Sequence, residues 1–241
     1  AHMAQRPARA AQTRQSLERF LSPVLVEQVI NNQVSLKRGG NEQEVTVMFA
    51  DIRGFTSLTE RSAARDVVVL LNEYFDRMVE VIFNHDGILD KFIGDAIMAL
   101  WGPPLSKEDD ASKAVQAAIT MQKELLQLNN EREKRGQSPI EIGIGLASGV
   151  CVAGNIGARR RMEYTVIGDA VNLSSRLSSI AEAGEVICDE ATFKRVGSPN
   201  NATELPPTEV KGKQKPVKLY RAWSSEQTTY SEMNLDSVTQ A

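Results

Sequence analysis

The sequence predicts an α+β fold, a ferredoxin-like βαββαβ sandwich with a C-terminal extension. Apolar runs at Val45 to Ala50, Ile88 to Phe92 and Ala96 to Trp101 are short enough for buried strands. Two stretches carry helical periodicity, Val67 to Ile82 and Ala114 to Leu128. The order strand, helix, strand, strand, helix, strand then predicts helices on one face of an antiparallel sheet.

The elements follow in chain order. Ala1-His2-Met3 reads as a cloning remnant, and residues 4–15 have no apolar periodicity. Leu17, Phe20, Leu21, Val24, Leu25 and Val29 fall near helical spacing, with Ser22-Pro23 suited to an N-cap and first-turn proline. Residues 1–43 are therefore a lead-in, either an ordinary terminal helix or the join to an upstream regulatory domain. Residues 44–221 are the compact domain. Its first strand stops at Asp51-Ile52-Arg53-Gly54-Phe55-Thr56. A helix follows whose apolar face is Val67, Leu70, Leu71, Tyr74, Met78, Val81 and Ile82, with Asp66 as N-cap and Asp86-Gly87 as the stop. Ile93-Gly94-Asp95 reads as a hairpin turn, and Trp101-Gly102-Pro103-Pro104 breaks the chain.

The second long helix aligns Ala114, Ala118, Met121, Leu125 and Leu128 and fades into polar residues 129–138. Ile142, Ile144 and Leu146 alternate with small residues, and Val150 to Ala153 reads as a further strand. A third helix is expected from Ala170 to Ala183, ended by Gly184, and short strands near Val186 and at Lys218 to Arg221 flank a polar excursion. Residues 222–241 read as a flexible tail.

Composition narrows the function. With 28 basic and 31 acidic residues among 241, the net charge is −3, so no positive field gathers nucleic acid. The longest apolar run, Ala96 to Trp101, is far short of the ~20 residues that span a bilayer. This predicts a soluble, cytoplasmic domain, whether or not the longer protein is attached to a membrane. Cys151 and Cys188 lack ligand spacing, which argues for a reducing compartment and against structural zinc. His2 lies in the remnant and His85 ends a helix, so histidine chemistry is excluded.

Asp51 and Asp95 each interrupt an apolar strand end close to a glycine. Carboxylates beside buried strands need positive compensation, and a pair is a common oxygen cage for Mg²⁺ with a substrate phosphate. Two turn-forming aspartates would leave the same spacing, so both readings stand at this point. Gly54-Phe55-Thr56 offers free backbone amides at a helical turn, which suit phosphate oxygens. There is no GxxxxGK[ST] segment, and Gly154-Asn155-Ile156-Gly157 is not a full dinucleotide pattern. Asn172 and Arg176, four residues apart, share a helix face as either a ligand-facing or a merely exposed pair. Arg159-Arg160-Arg161 reads as a loop.

Three segments together resemble the catalytic domain of class III nucleotidyl cyclases: Val47 to Thr56, Lys91-Phe92-Ile93-Gly94-Asp95, and Tyr164 to Arg176 with its Gly168-Asp169-Ala170-Val171-Asn172 core. The resemblance implies that Asp51, Asp95 and the Ile52 carbonyl bind two Mg²⁺ or Mn²⁺ ions. It further implies that Lys91 and Thr165 select the base, and that Asn172 and Arg176 orient the ribose and stabilise the transition state. Phe55, Thr56, Arg160 and Lys213 would contact the substrate, the last two at its triphosphate.

It also implies a head-to-tail homodimer. In its composite sites one copy would supply Asp51 and Asp95, and the other Lys91, Thr165, Asn172 and Arg176. Thr165, where many adenylyl cyclases have Asp, resembles a Lys/Thr subclass with bicarbonate-responsive soluble members. The expected reaction is ATP to 3′,5′-cyclic AMP and pyrophosphate. Lys91 suits the adenine N1 lone pair and the Thr165 hydroxyl can accept from N6. The alternatives are a guanylyl cyclase, which would usually carry an acidic residue at position 91, and a non-catalytic nucleotide-binding dimerisation module.

Overall fold

The computed structural model describes Val26, residues 38–198 and residues 202–224. The expected lead-in helix, apart from the buried Val26, and tail residues 225–241 lie outside them. Strand β1 (Gly39–Ile52) leads into the short helix α1 (Phe55–Arg61) and the long helix α2 (Ala64–Asn84). Next come the hairpin β2 (Ile88–Ile93) and β3 (Ala96–Trp101), helix α3 (Asp110–Lys134), strands β4 (Ile142–Ala158) and β5 (Arg161–Ile167), and helix α4 (Asp169–Ile180). Strand β6 (Glu185–Asp189), helix α5 (Glu190–Arg195) and strands β7 (Thr203–Glu204) and β8 (Leu219–Ser224) complete the order.

The sheet runs β2-β3-β1-β4-β6-β8-β7, with β5 paired to β4 alone. Its first four strands keep the expected ferredoxin-like order. β1 is central, so its residues are buried on both faces. Met48, Ala50 and Ile52 join α2 and α3 in one core, while Val47 and Phe49 join α4 in the other. The two helices of the βαββαβ unit, α2 and α3, share one face as expected, and α4, beyond that unit, covers the opposite face. The sheet is also mixed, because β6 runs parallel to β4.

Local reasons for this packing are visible in β4. Ile142, Ile144 and Leu146 face the α3 core, while the small residues between them let α4 approach. A Cβ on Gly145 would stand 2.2 Å from the Ser178 backbone nitrogen, so any side chain there would push α4 away. The alternating run from Ile142 and the strand read at Val150 to Ala153 form one element: β4 continues unbroken for 17 residues. Its end pairs with β5 from Val152 to Ala158, making a hairpin in which Arg159 and Arg160 form the turn and Arg161 begins the return strand.

Other differences are smaller. Ala63, not Asp66, occupies the N-cap of α2, and Asp66 places its charge in the first turn, where the helix dipole favours it. α4 ends at Ile180, three residues before the predicted Ala183. β1 starts at Gly39, and β8 reaches Ser224 with Ala222 and Trp223 packed on the core. α5 is capped by Asp189, whose carboxylate accepts from the Thr192 backbone N–H, a side-chain cap the hydrophobic pattern does not signal. No described helix is long and apolar enough to cross a membrane.

Candidate active site

The β2–β3 turn carries Asp95 to the end of β1. Gly94 takes φ of 64°, which a two-residue hairpin loop needs and which a side chain would disfavour. On α2, Phe75 stacks on Phe92 with ring centroids 4.1 Å apart, anchoring the hairpin. The Ile52 backbone N–H then donates to Asp95 Oδ2 at 3.1 Å. Asp51 and Asp95 are thus adjacent although 44 positions apart. Burial first, and then the neighbouring Asp51 charge, push the Asp95 carboxyl up to about 6.

Positive compensation for this pair is small. Arg53 Nη2 is 3.8 Å from Asp51 Oδ2, but it also donates to the Ser178 carbonyl at 2.5 Å near the α4 C-terminus, and Asp95 has no ion pair among the described residues. Beneath them Tyr74 is wholly buried, its hydroxyl has no hydrogen-bond partner, and its pKa is raised by burial and then by Asp95 and Asp51. Two crowded carboxylates with little cationic support fit a hard divalent cation, for which all-oxygen ligation is preferred. No group of three or more His, Cys, Asp or Glu is set to hold a metal among the described residues. Further ligands would have to be a backbone carbonyl such as that of Ile52, water or substrate phosphate.

A second group lies across β2 and β5. Lys91 Nζ is 2.8 Å from Glu163 Oε2 and 3.5 Å from Asp90 Oδ2. Thr165 adjoins Asp90. Lys91 and Thr165 thus both border Asp90, and the Glu163 carboxylate raises the Lys91 pKa.

The third group gathers on α4. Asn172 is exposed, and Arg176 one turn later is half-buried. Lys213 pairs with Asp169, and the Arg176 guanidinium lies against Gly212, where a Cβ would stand 3.0 Å from Nη2. Arg160 is exposed at the β4–β5 turn. Phe55 is half-buried and Thr56 exposed at the start of α1.

Sequence reasoning overlooked Asp90, Glu163, Arg53 and Tyr74. The sequence marks Tyr74 only as a core residue, whereas its buried hydroxyl lies near Asp95 and Asp51 without a hydrogen-bond partner. Asp90 could have been noticed as a carboxylate inside a short apolar strand.

The family model described as the adenylate and guanylate cyclase catalytic domain matches residues 39–230. The chain is 34% identical to adenylate cyclase 1 of Rhizobium meliloti over 172 residues, which is 67% of this chain and 26% of that protein. It therefore spans about a quarter of that relative's length. The crystal structure of the adenylyl cyclase CyaB from P. aeruginosa is similar with a TM-score of 0.73 and 37% identity, covering 77% of this chain and 96% of that one. The guanylyl cyclase Cya2 is similar to the same degree in sequence, at 37% identity and a TM-score of 0.70, covering 76% and 93% of the two chains.

Proposed function

This chain belongs to the adenylate and guanylate cyclase catalytic-domain family, and we propose on that footing that it converts ATP to 3′,5′-cyclic AMP and pyrophosphate. The observation that carries the choice of ATP is that Lys91 and Thr165 both border the same residue of β2, Asp90. Lys91 has only donors and faces the adenine N1 lone pair, while the Thr165 oxygen accepts from the N6 amino group. Guanine offers N1–H where Lys91 also donates, and a mispaired buried polar group discriminates strongly.

Asp51, Asp95 and the Ile52 carbonyl would hold two Mg²⁺ or Mn²⁺ ions, whose chemistry when bound is to acidify the ribose 3′ hydroxyl and neutralise the triphosphate. Asn172 orients the ribose so that its 3′ oxygen lies in line with the α-phosphorus. The new O–P bond forms as the bond to the β-phosphate bridging oxygen breaks, and the hydroxyl proton passes to water or to a substrate phosphate. Arg176 offsets charge on the transferring phosphoryl group, and Arg160 and Lys213 hold the leaving pyrophosphate. Phe55 and Thr56 place backbone amides near the phosphates.

The sites form between two head-to-tail copies, one giving the aspartates and the other Lys91, Thr165, Asn172 and Arg176. Supporting this, Val152 and Ile167, register partners on β4 and β5, expose their apolar side chains together with Val150 and Met162. A cytosolic setting suits both the nucleotide substrate and the two free thiols of Cys151 and Cys188.

The likeness to Cya2 makes guanylyl cyclase the competing reading. Incubation of the purified chain with ATP or GTP and Mg²⁺ or Mn²⁺, with the products identified by mass, decides between them. Cyclic AMP as the main product supports the proposal; cyclic GMP as the main product, or no turnover, overturns it.

A further inference from the structure

Asp90 occupies an unusual place. The β2–β3 register shifts between Leu89 and Lys91, so Asp90 is the extra residue of a β-bulge. In a regular strand, neighbours 90 and 91 would point to opposite faces. Here the Lys91 ammonium comes within 3.5 Å of Asp90 Oδ2. The Asp90 side chain has no solvent exposure, and neither carboxylate oxygen has a hydrogen-bond partner of good geometry. Such burial is costly unless the charge is used, and the groups beside it are Lys91 and the Thr165 hydroxyl.

We propose that Asp90 is a positioning residue that sets base choice: it accepts a hydrogen bond from the Thr165 hydroxyl and draws the Lys91 ammonium alongside, leaving Thr165 only lone pairs to offer a bound base. The inference rests on the base-reading roles given above to Lys91 and Thr165. A free threonine hydroxyl can donate or accept, and so could serve the guanine O6 or the adenine N6 amino group alike. With its proton committed to a carboxylate, it becomes an acceptor alone and matches adenine. The bulge breaks the regular alternation of the strand at Asp90, and the Lys91 ammonium stands 3.5 Å from the Asp90 carboxylate. Glu163, 2.8 Å from Lys91, is a solvent-exposed partner, whereas the Asp90 side chain is buried.

The test measures kcat and KM for ATP and for GTP in the wild-type chain, Asp90→Asn, Thr165→Val and the double variant. An asparagine amide can donate to Thr165 and release its hydroxyl to serve guanine. Asp90→Asn should therefore lower the ATP-to-GTP ratio of kcat/KM about tenfold, chiefly through a higher KM for ATP. In the Thr165→Val background the same change should move the ratio by less than about twofold, because the two act through one hydroxyl. An unchanged ratio in folded Asp90→Asn, or an equal shift in both backgrounds, overturns the role of Asp90. A wild-type chain that prefers GTP overturns the base-reading assignment as well. Should Asp90→Asn fail to fold by circular dichroism, carboxyl ¹³C NMR takes its place: the Asp90 resonance must move when Thr165 becomes Val, and a resonance that stays put overturns the proposal.

Discussion

The Ile52 backbone N–H donates to Asp95 Oδ2 at 3.1 Å, tying the β2–β3 turn to the end of β1. That bond holds two carboxylates side by side, and the cost of doing so is readable in pH. Asp95 titrates near 6 in the fold against about 4 for an ordinary aspartate. A folded-state value above the unfolded one means that the stabilising protonated form is fully present below pH 4 and lost as pH rises through about 6.

Metal-free Asp95→Asn should therefore melt higher than the metal-free wild type at pH 8. With the shift discounted for solvent screening, the gain is about 2–4 °C, vanishing near pH 4. Thermal denaturation in chelator measures it; equal melting temperatures at pH 8 would contradict the crowding of the two carboxylates. Asp51→Ala and Asp95→Ala should both abolish cyclisation with circular dichroism unchanged, since each removes metal charge and not core volume.

Base choice should be convertible. Lys91→Glu with Thr165→Cys gives a side chain that accepts from guanine N1–H and one that donates weakly to O6. The ATP-to-GTP ratio of kcat/KM should fall by at least about tenfold. An unchanged ratio would show that these positions do not read the base.

Glu163 holds Lys91 at 2.8 Å in the free chain, so a base must compete for the ammonium. Glu163→Gln should lower the KM for ATP a few-fold with kcat little changed. Because the pair is solvent-exposed, the melting temperature should be essentially unchanged. A raised KM would mean that Glu163 helps to present Lys91 and does not restrain it.

The legible parts of this molecule were those with strong periodicity or interrupted apolar runs. Val67 to Ile82 read as a helix because its apolar face repeats at helical spacing, and Asp51 and Asp95 stood out because charge is rare at the end of a buried strand. The β4–β5 hairpin was not legible. Gly154-Asn155-Ile156-Gly157 and the three arginines have loop composition, yet pairing with β1 and β5 makes Gly154 to Ala158 and Arg161 strand and leaves only Arg159 and Arg160 as the turn. The second core was hidden for a related reason: Gly145 is silent in a hydrophobic pattern, yet its missing Cβ is what admits α4 to the opposite face. Asp90 was passed over because a bulge depends on cross-strand register, which periodicity within one strand does not encode.

Thr165 resembles the position found in a subclass with bicarbonate-responsive members, which suggests a regulatory test. An anion that biases closure of the dimer, bringing Arg176 toward the aspartates, would raise kcat more than it changes KM. Bicarbonate at fixed pH and ionic strength should increase ATP turnover modestly, with chloride at equal concentration as the control. A flat response would remove this regulation and leave the catalytic reading intact.

A site shared by two copies predicts complementation between variants, which is its most direct test. Asp51→Ala and Arg176→Ala should each be inactive alone. In an equal mixture, half of the dimers pair one variant with the other, and each such dimer has one site with both lesions and one with neither. Cyclic AMP formation from ATP should return to about a quarter of the wild-type rate. A mixture that stays inactive while heterodimers are demonstrably present would contradict the shared site.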